Sequence, residues 1–282
     1  PAVKWEEALT VGSGNMGGMV FGSREHEIFQ LNEDSIWSGK PVDRINPDAK
    51  QKLPQIRKLI RERKIPEAEQ LAIYALSGTP NSERSYQTAG ELQIFFKNVR
   101  SAEAYTRELD LEEGIVNISY QEDGNVYRRA VFASYPDGVM VYRMETEGEG
   151  TLSFDARVGR GYNEQDEVTA EGGDSLQFVV DGGKGVSFCV RVKSVPEGGS
   201  QETVGEHLLV RDAKAVTLLV CIATSFREQD HERKCREQLE KAAKLGYQEL
   251  KRRHVEDHQS LFGRLDVTIG ADERDTVPTD IR

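Results

Sequence analysis

The sequence predicts a mainly β protein, a sandwich or barrel of short antiparallel strands. Three observations carry this. Between Ala89 and Ala223 apolar residues recur at every second position in short runs, of which Leu92, Ile94 and Phe96 are one example. Turn signals separate several runs: Asp123-Gly124-Asn125, Pro136-Asp137-Gly138 and Gly148-Glu149-Gly150. A helical period appears only outside this stretch, so the βαβ alternation of a parallel sheet is missing.

The elements follow in order. Met16 to Phe21 and Glu27 to Leu31 read as two strands around a turn at Gly22 to Glu25. Asn32 to Asn46 is polar and rich in turn residues, a long loop. Leu53, Ile56, Leu59 and Ile60 share one helical face, with the helix expected to begin at Pro54. Pro66 is placed to start a second helix, whose stripe is Ala68, Leu71, Ala72, Ala75 and Leu76. Strands then follow at Ile115–Tyr120, Tyr127–Ser134, Val139–Glu145, Leu152–Val158, Val168–Ala170, Leu176–Val180, Val186–Val192, Leu208–Val210 and Val216–Ala223. Near Gln229 the period returns to 3.6. Cys235, Leu239, Ala242, Leu250, Val255 and Leu261 suggest one long helix, interrupted at Gly246. Val267 and Ile269 read as a last short strand.

Composition narrows the function. The 282 residues include 10 Phe, 9 Tyr and 2 Trp, enough for a packed core. A formal charge of −11 disfavours nucleic acid and anionic membrane surfaces, and leaves a neutral substrate such as a sugar compatible. No apolar stretch is long enough to cross a bilayer. Pro1 to Glu7 reads as part of a folded motif and not as a signal peptide, so a cytoplasmic or a secreted location stays open. Cys189, Cys221 and Cys235 are an odd, sparse set, expected as three buried thiols.

Three motifs invite a chemical reading. Gly12-Ser13-Gly14-Asn15-Met16-Gly17 matches a dinucleotide fingerprint, but Gly18-Met19-Val20-Phe21 follows where a helix is required. A glycine-rich turn between close strands is the better account, and a nucleotide-dependent oxidoreductase is disfavoured. His254 and His258 share a helical face beside Asp257, yet Val255 stands where the zinc-protease motif needs Glu. A solvated or interface-facing helix surface is the expectation. Glu33 and Asp34, flanked by Asn32 and Trp37, are paired acids beside an indole. An inverting glycosidase pair must stand about 6.5–9.5 Å apart, so adjacent acids fit poorly. Loop anchoring and a buried indole are expected instead. The residues alone therefore yield no catalytic constellation.

Order along the chain adds a resemblance. Trp5-Glu6-Glu7-Ala8-Leu9 runs into VGSGNMGGMVFG and then QLNEDSIWSGKP. YQTAGELQIFF, YTRELDLEEGIVNISY, RRAVFASYPDGVMVYRM and HVEDHQSLFGRLDVTIG follow in register, then Pro278-Thr279-Asp280. This resembles the opening of bacterial α-L-fucosidases of glycoside hydrolase family 95, with Thr10, Ser13 and Ala89 as small departures. The resemblance implies a large antiparallel β-sandwich, a super-sandwich, over residues 1–270; the switches of period place a helical insert near residues 47–77 and a long helix near 228–262. Residues 271–282 would begin the linker to an (α/α)6 catalytic barrel whose motifs are absent here.

In that family the barrel holds the acid and the base, the mechanism is inverting, no metal or other cofactor takes part, and the substrate is a terminal α-L-fucoside or, in some members, an α-L-galactoside. No catalytic residue is therefore expected in this chain, whose role would be a scaffold. The alternative is a module that binds glycans by itself, although Trp5 and Trp37 both lie in motifs that look structural. The partner expected for the scaffold is the barrel. Asn32, Glu33, Asp34 and Trp37 in the loop to Pro41, with His254, His258, Leu261 and Phe262 on the last helix, are the candidates for contacting it.

Overall fold

The computed structural model describes residues 1–160 and 167–267. A single 3-10 turn at Trp5–Glu7 leads into β1 (Leu9–Gly12), β2 (Met16–Val20) and β3 (His26–Glu33). Helices α1 (Ala49–Arg61) and α2 (Ile65–Leu76) precede β4 (Gly90–Phe96), β5 (Glu103–Asp110), β6 (Ile115–Glu122), β7 (Asn125–Ser134), β8 (Val139–Glu147) and β9 (Leu152–Gly159). Then come β10 (Glu167–Glu171), β11 (Ser175–Val180), β12 (Phe188–Glu197), β13 (Ser200–Val204), β14 (His207–Ala213) and β15 (Ala215–Thr224). Helices α3 (His231–Leu245) and α4 (Tyr247–Phe262) follow.

Among the described residues the strands form two antiparallel sheets. Sheet one has the order β1-β2-β3-β4-β9-β14-β13, and sheet two the order β10-β11-β12-β15-β8-β7-β6-β5. The fold is the expected mainly β sandwich. Alternation dictates the packing: in β3, Glu27, Phe29, Leu31 and Glu33 face inward while Ile28, Gln30 and Asn32 do not. The main core lies between the sheets and includes Phe29, Leu92, Phe154, Phe178 and Leu218. Both faces of sheet two are covered, because α3 and α4 pack on its far side around Phe132, Cys189, Cys221, Cys235, Leu239 and Leu250. This is why β15 reads as a continuous apolar run while β3 alternates.

β1, β5 and β13 are strands that periodicity did not predict. Each closes one edge of its sheet; β1 is only 4 residues long, and β5 and β13 are polar, EAYTRELD and SQETV. Charged side chains on an edge protect it from pairing with other chains, and they erase the pattern that marks a strand. α1 begins at Ala49 and runs through Pro54 instead of starting there. Pro54 is exposed, so the Lys50 carbonyl that loses its helical partner stays open to water. The long helix is interrupted at Gly246, as expected, and the break divides it into α3 and α4. Gly246 adopts φ 76° between α3 and α4, and Asp230 caps α3 by accepting from Arg233 N at 3.2 Å. Of the expected last strand, Val267 is not in a strand, and Ile269 lies outside the described residues, as does the boundary placed at residues 270–271.

The glycine-rich fingerprint is the β1–β2 hairpin, closed by Ser13 N donating to Met16 O at 2.9 Å. Gly18 is required for packing: a Cβ there would stand 2.1 Å from the ring of Phe29. The three thiols are free and buried, and the Cys235 thiol is pushed well up by contact with Cys189 and Cys221 and by burial. α1 and α2 pack chiefly on each other, around Ile56, Ala68 and Ala75.

One ion pair joins the two sheets inside the core. Glu27 accepts from Phe21 N at 3.1 Å and Gly22 N at 3.0 Å, and Arg129 of β7 reaches it at 3.2 Å. Arg129 also donates to Ser23 O at 2.5 Å and Tyr120 Oη at 3.2 Å, with its guanidinium 4.1 Å over the ring of Phe96. Both side chains are essentially inaccessible.

Candidate functional surface

The loop after β3 is built by its own polar groups. Glu33 ends the inward row of β3 and is 2% exposed. A buried carboxylate needs a cation and hydrogen bonds. Arg227, just beyond β15, supplies the cation. Ser35 donates to Glu33 Oε2 from its N at 2.8 Å and its Oγ at 2.7 Å, and Ser35 Oγ meets Thr224 Oγ1 at 2.7 Å. Asp34 points outward yet takes the same guanidinium, at 2.8 and 3.0 Å. Burial pushes the Glu33 carboxyl up, against the Ser35 bonds and Arg227. Arg227 holds Asp34 below its usual range. Two acids sharing one guanidinium do not straddle a scissile bond, so this pair is a clamp between the loop and the end of β15.

Trp37 is 45% exposed, not buried as the sequence suggested. Its Nε1 donates to Asp34 O at 3.0 Å, and its ring stands 5.4 Å from Tyr86, edge to face. Tyr86 Oη donates to Glu33 O at 2.9 Å and lies 3.3 Å from Asn32 Oδ1. Phe226, next to Arg227 in the chain, is 71% exposed as well. The structure thus brings Asn32, Glu33, Asp34 and Trp37 together. Arg227, Ser35 and Tyr86 complete the cluster and were not foreseen. The signal was an acid on the inward row of an alternating strand, which demands a cation without saying where in the chain it lies.

The last-helix candidates lie elsewhere. His254 is buried, its Nε2 3.2 Å from Gly114 O, with its ring stacked 4.7 Å from Phe132. His258 Nε2 is 2.9 Å from Leu111 O, and its ring stacks 5.2 Å from Phe262. The two imidazoles therefore fasten α4 to the β5–β6 turn. Among the described residues no group of three or more His, Cys, Asp or Glu is placed to hold a metal. Leu261 and Phe262 remain open, at 60% and 50%.

Burial lowers the pKa of His254, against the Gly114 carbonyl. A histidine with a depressed folded pKa stabilises the fold fully above its unfolded value of about 6.5, and that stability is lost as pH falls through the folded value. Amide exchange in α4 should therefore accelerate as pH drops from about 7 to about 5, beyond the intrinsic pH dependence of exchange. His254→Phe, which keeps the stacking but cannot protonate, should flatten that response. An unchanged profile in the variant would assign the effect to another group.

Comparison with known proteins adds identity to this geometry. Residues 1–229 match the family model described as glycosyl hydrolase family 65, N-terminal domain. "Alpha-L-fucosidase 2" of Arabidopsis thaliana is 28% identical over 98% of this chain, and "Probable alpha-fucosidase A" of Aspergillus niger is 27% identical over 93%. The chain spans only 37% and 36% of those two proteins. They are plant and fungal, so they lend nothing to the bacterial source that the resemblance implied. A solved chain titled "Putative kojibiose phosphorylase from human microbiome" shares the fold, with a TM-score of 0.54 at 9% identity over 90% of this chain and 35% of that one. The sandwich, its order of motifs and these relatives agree with the N-terminal region of family 95 α-L-fucosidases. The chain belongs to the glycosyl hydrolase family 65 N-terminal domain family.

Proposed function

We propose that this chain is the non-catalytic N-terminal domain of an inverting α-L-fucosidase, a hydrolase of terminal α-L-fucosyl linkages, and that it is the scaffold for a catalytic barrel in the same polypeptide. The observation that carries this reading is the commitment of Glu33 and Asp34 to Arg227, in a chain whose relatives named for fucosidase activity extend far beyond it. A glycosidase needs an acid and a base on opposite sides of the bond, and the most suggestive acids here are held as one clamp. The half-exposed Trp37, with Tyr86 beside it, and the open Leu261 and Phe262 are the surfaces proposed to meet the barrel.

One experiment tests both halves. A 2-fucosylated oligosaccharide is assayed with this chain alone and with a polypeptide that continues into the barrel. The short chain should show no turnover, and the longer one should hydrolyse with inversion. Trp37→Ala should lower the thermal stability of the longer polypeptide more than that of the short chain. Hydrolysis by the short chain that disappears on Glu33→Gln would refute the scaffold reading. Equal losses of stability in both polypeptides would refute the contact.

A further inference from the structure

The outer face of sheet one carries a feature that no relative's name explains. Trp5 is 60% exposed, yet it is fixed. Glu7 folds its 3-10 turn by accepting from Val3 N at 2.8 Å and Lys4 N at 3.2 Å, and Arg107 donates to Glu7 O at 2.8 Å. The indole Nε1 donates to Gln30 Oε1 at 2.9 Å. The ring is thus held against the sheet without being covered. Ordering a large apolar ring while leaving it wet gives the isolated domain little, but it lowers the entropic cost of stacking a ligand on it.

The indole forms one wall of an open groove of 520 Å³, whose other side chains include Gln30, Asn32, Thr88, Glu91 and Arg160. Gly90 lies in its floor at φ 100°, where a Cβ would collide with Gly159 O at 2.6 Å, so the sheet stays bare there. Gln30 Nε2 donates to Glu91 Oε1 at 3.1 Å, Gln93 Nε2 to Glu91 Oε2 at 3.0 Å, and Arg157 Nε to Gln93 Oε1 at 2.9 Å. Planar amides and a carboxylate are therefore locked in position and offer both donors and acceptors. The described lining carries one carboxylate, Glu91, and one guanidinium, Arg160, in a chain of charge −11, whose field disfavours anionic ligands.

We propose that this groove binds a neutral pyranoside, with a sugar ring stacked on Trp5 and its hydroxyls bonded to Gln30, Asn32 and Glu91. The glycan class rests on the fucosidase reading, whereas the groove itself does not. Trp5, which the sequence placed in a structural motif, becomes a binding residue.

Titration of this chain with 2′-fucosyllactose tests it, followed through the indole N–H signals of its two tryptophans, Trp5 and Trp37. The Trp5 signal should shift saturably with a Kd of about 1 mM, an affinity suited to one stacked ring and a few hydroxyl contacts. Trp5→Ala, followed through the side-chain amide signals of Gln30 and Asn32, should weaken binding at least about tenfold with an unchanged melting temperature. A Trp5 signal that stays still up to about 20 mM sugar overturns the proposal. So does a shift confined to Trp37, or one that follows protein concentration instead of sugar. The scaffold reading fails separately, by hydrolysis in the short chain.

Discussion

Replacing Arg129 with alanine is expected to destabilise the domain by about 3–5 kcal/mol, read from the urea midpoint at constant slope. The reason is what stays behind. Glu27 is fully buried and would lose its cation while keeping the Phe21 and Gly22 amides. Its carboxyl is already pushed up by burial, with Arg129 as the chief opposing influence. The turn at Ser23, which Arg129 ties to the opposite sheet, would also lose its donor. Removing both charges together, as Glu27→Leu with Arg129→Met, should cost less than the single change by at least about 1 kcal/mol, because no unpaired ion remains. A single variant that loses under about 1 kcal/mol would show that water reaches the Glu27 carboxylate.

Phe132→Ala should cost about 3–5 kcal/mol by cavity formation, and its effect should centre on the helical layer. Phe132 is fully buried on the far face of sheet two, with His254 stacked at 4.7 Å and Tyr247 at 6.3 Å. Truncation removes the ring on which α4 rests. Hydrogen exchange should rise in α4 before it rises in β7 and β8, and Cys235 should become reactive to a thiol reagent if α3 loosens with it. Uniform loss of protection through both sheets would mean that the helices and the sandwich unfold as one unit.

Most of the fold was legible because burial is asymmetric. Where one sheet face is wet, as in β3, residues alternate. Where both are covered, as in β15, they do not, but β-branched residues and flanking turns still mark a strand. β5 and β13 escaped because protected edges are polar. The two-helix ending was visible in Gly246. The functional surface was less legible. Glu33 was noticed as half of a possible catalytic pair, but its partner Arg227 stands 194 residues away. Trp5 was read as structural because a motif records that a residue recurs, and not which side of it faces solvent. The Gln30–Glu91 bond that frames its groove depends on the pairing of β3 with β4, across the whole α1–α2 insert.

The inward row of β3 begins with Glu27 and ends with Glu33, and each is met by an arginine from a distant segment, Arg129 or Arg227. Between them lie only Phe29 and Leu31. A slide of β3 by two residues along β4 would preserve the hydrogen-bonded ladder and the alternation. It would also carry one carboxylate into an apolar site and strand its arginine. A slide by one would turn Gln30 and Asn32 inward. The two acids therefore act as end stops that fix the strand's alignment, and they fix with it the point where the loop bearing Trp37 leaves the sheet.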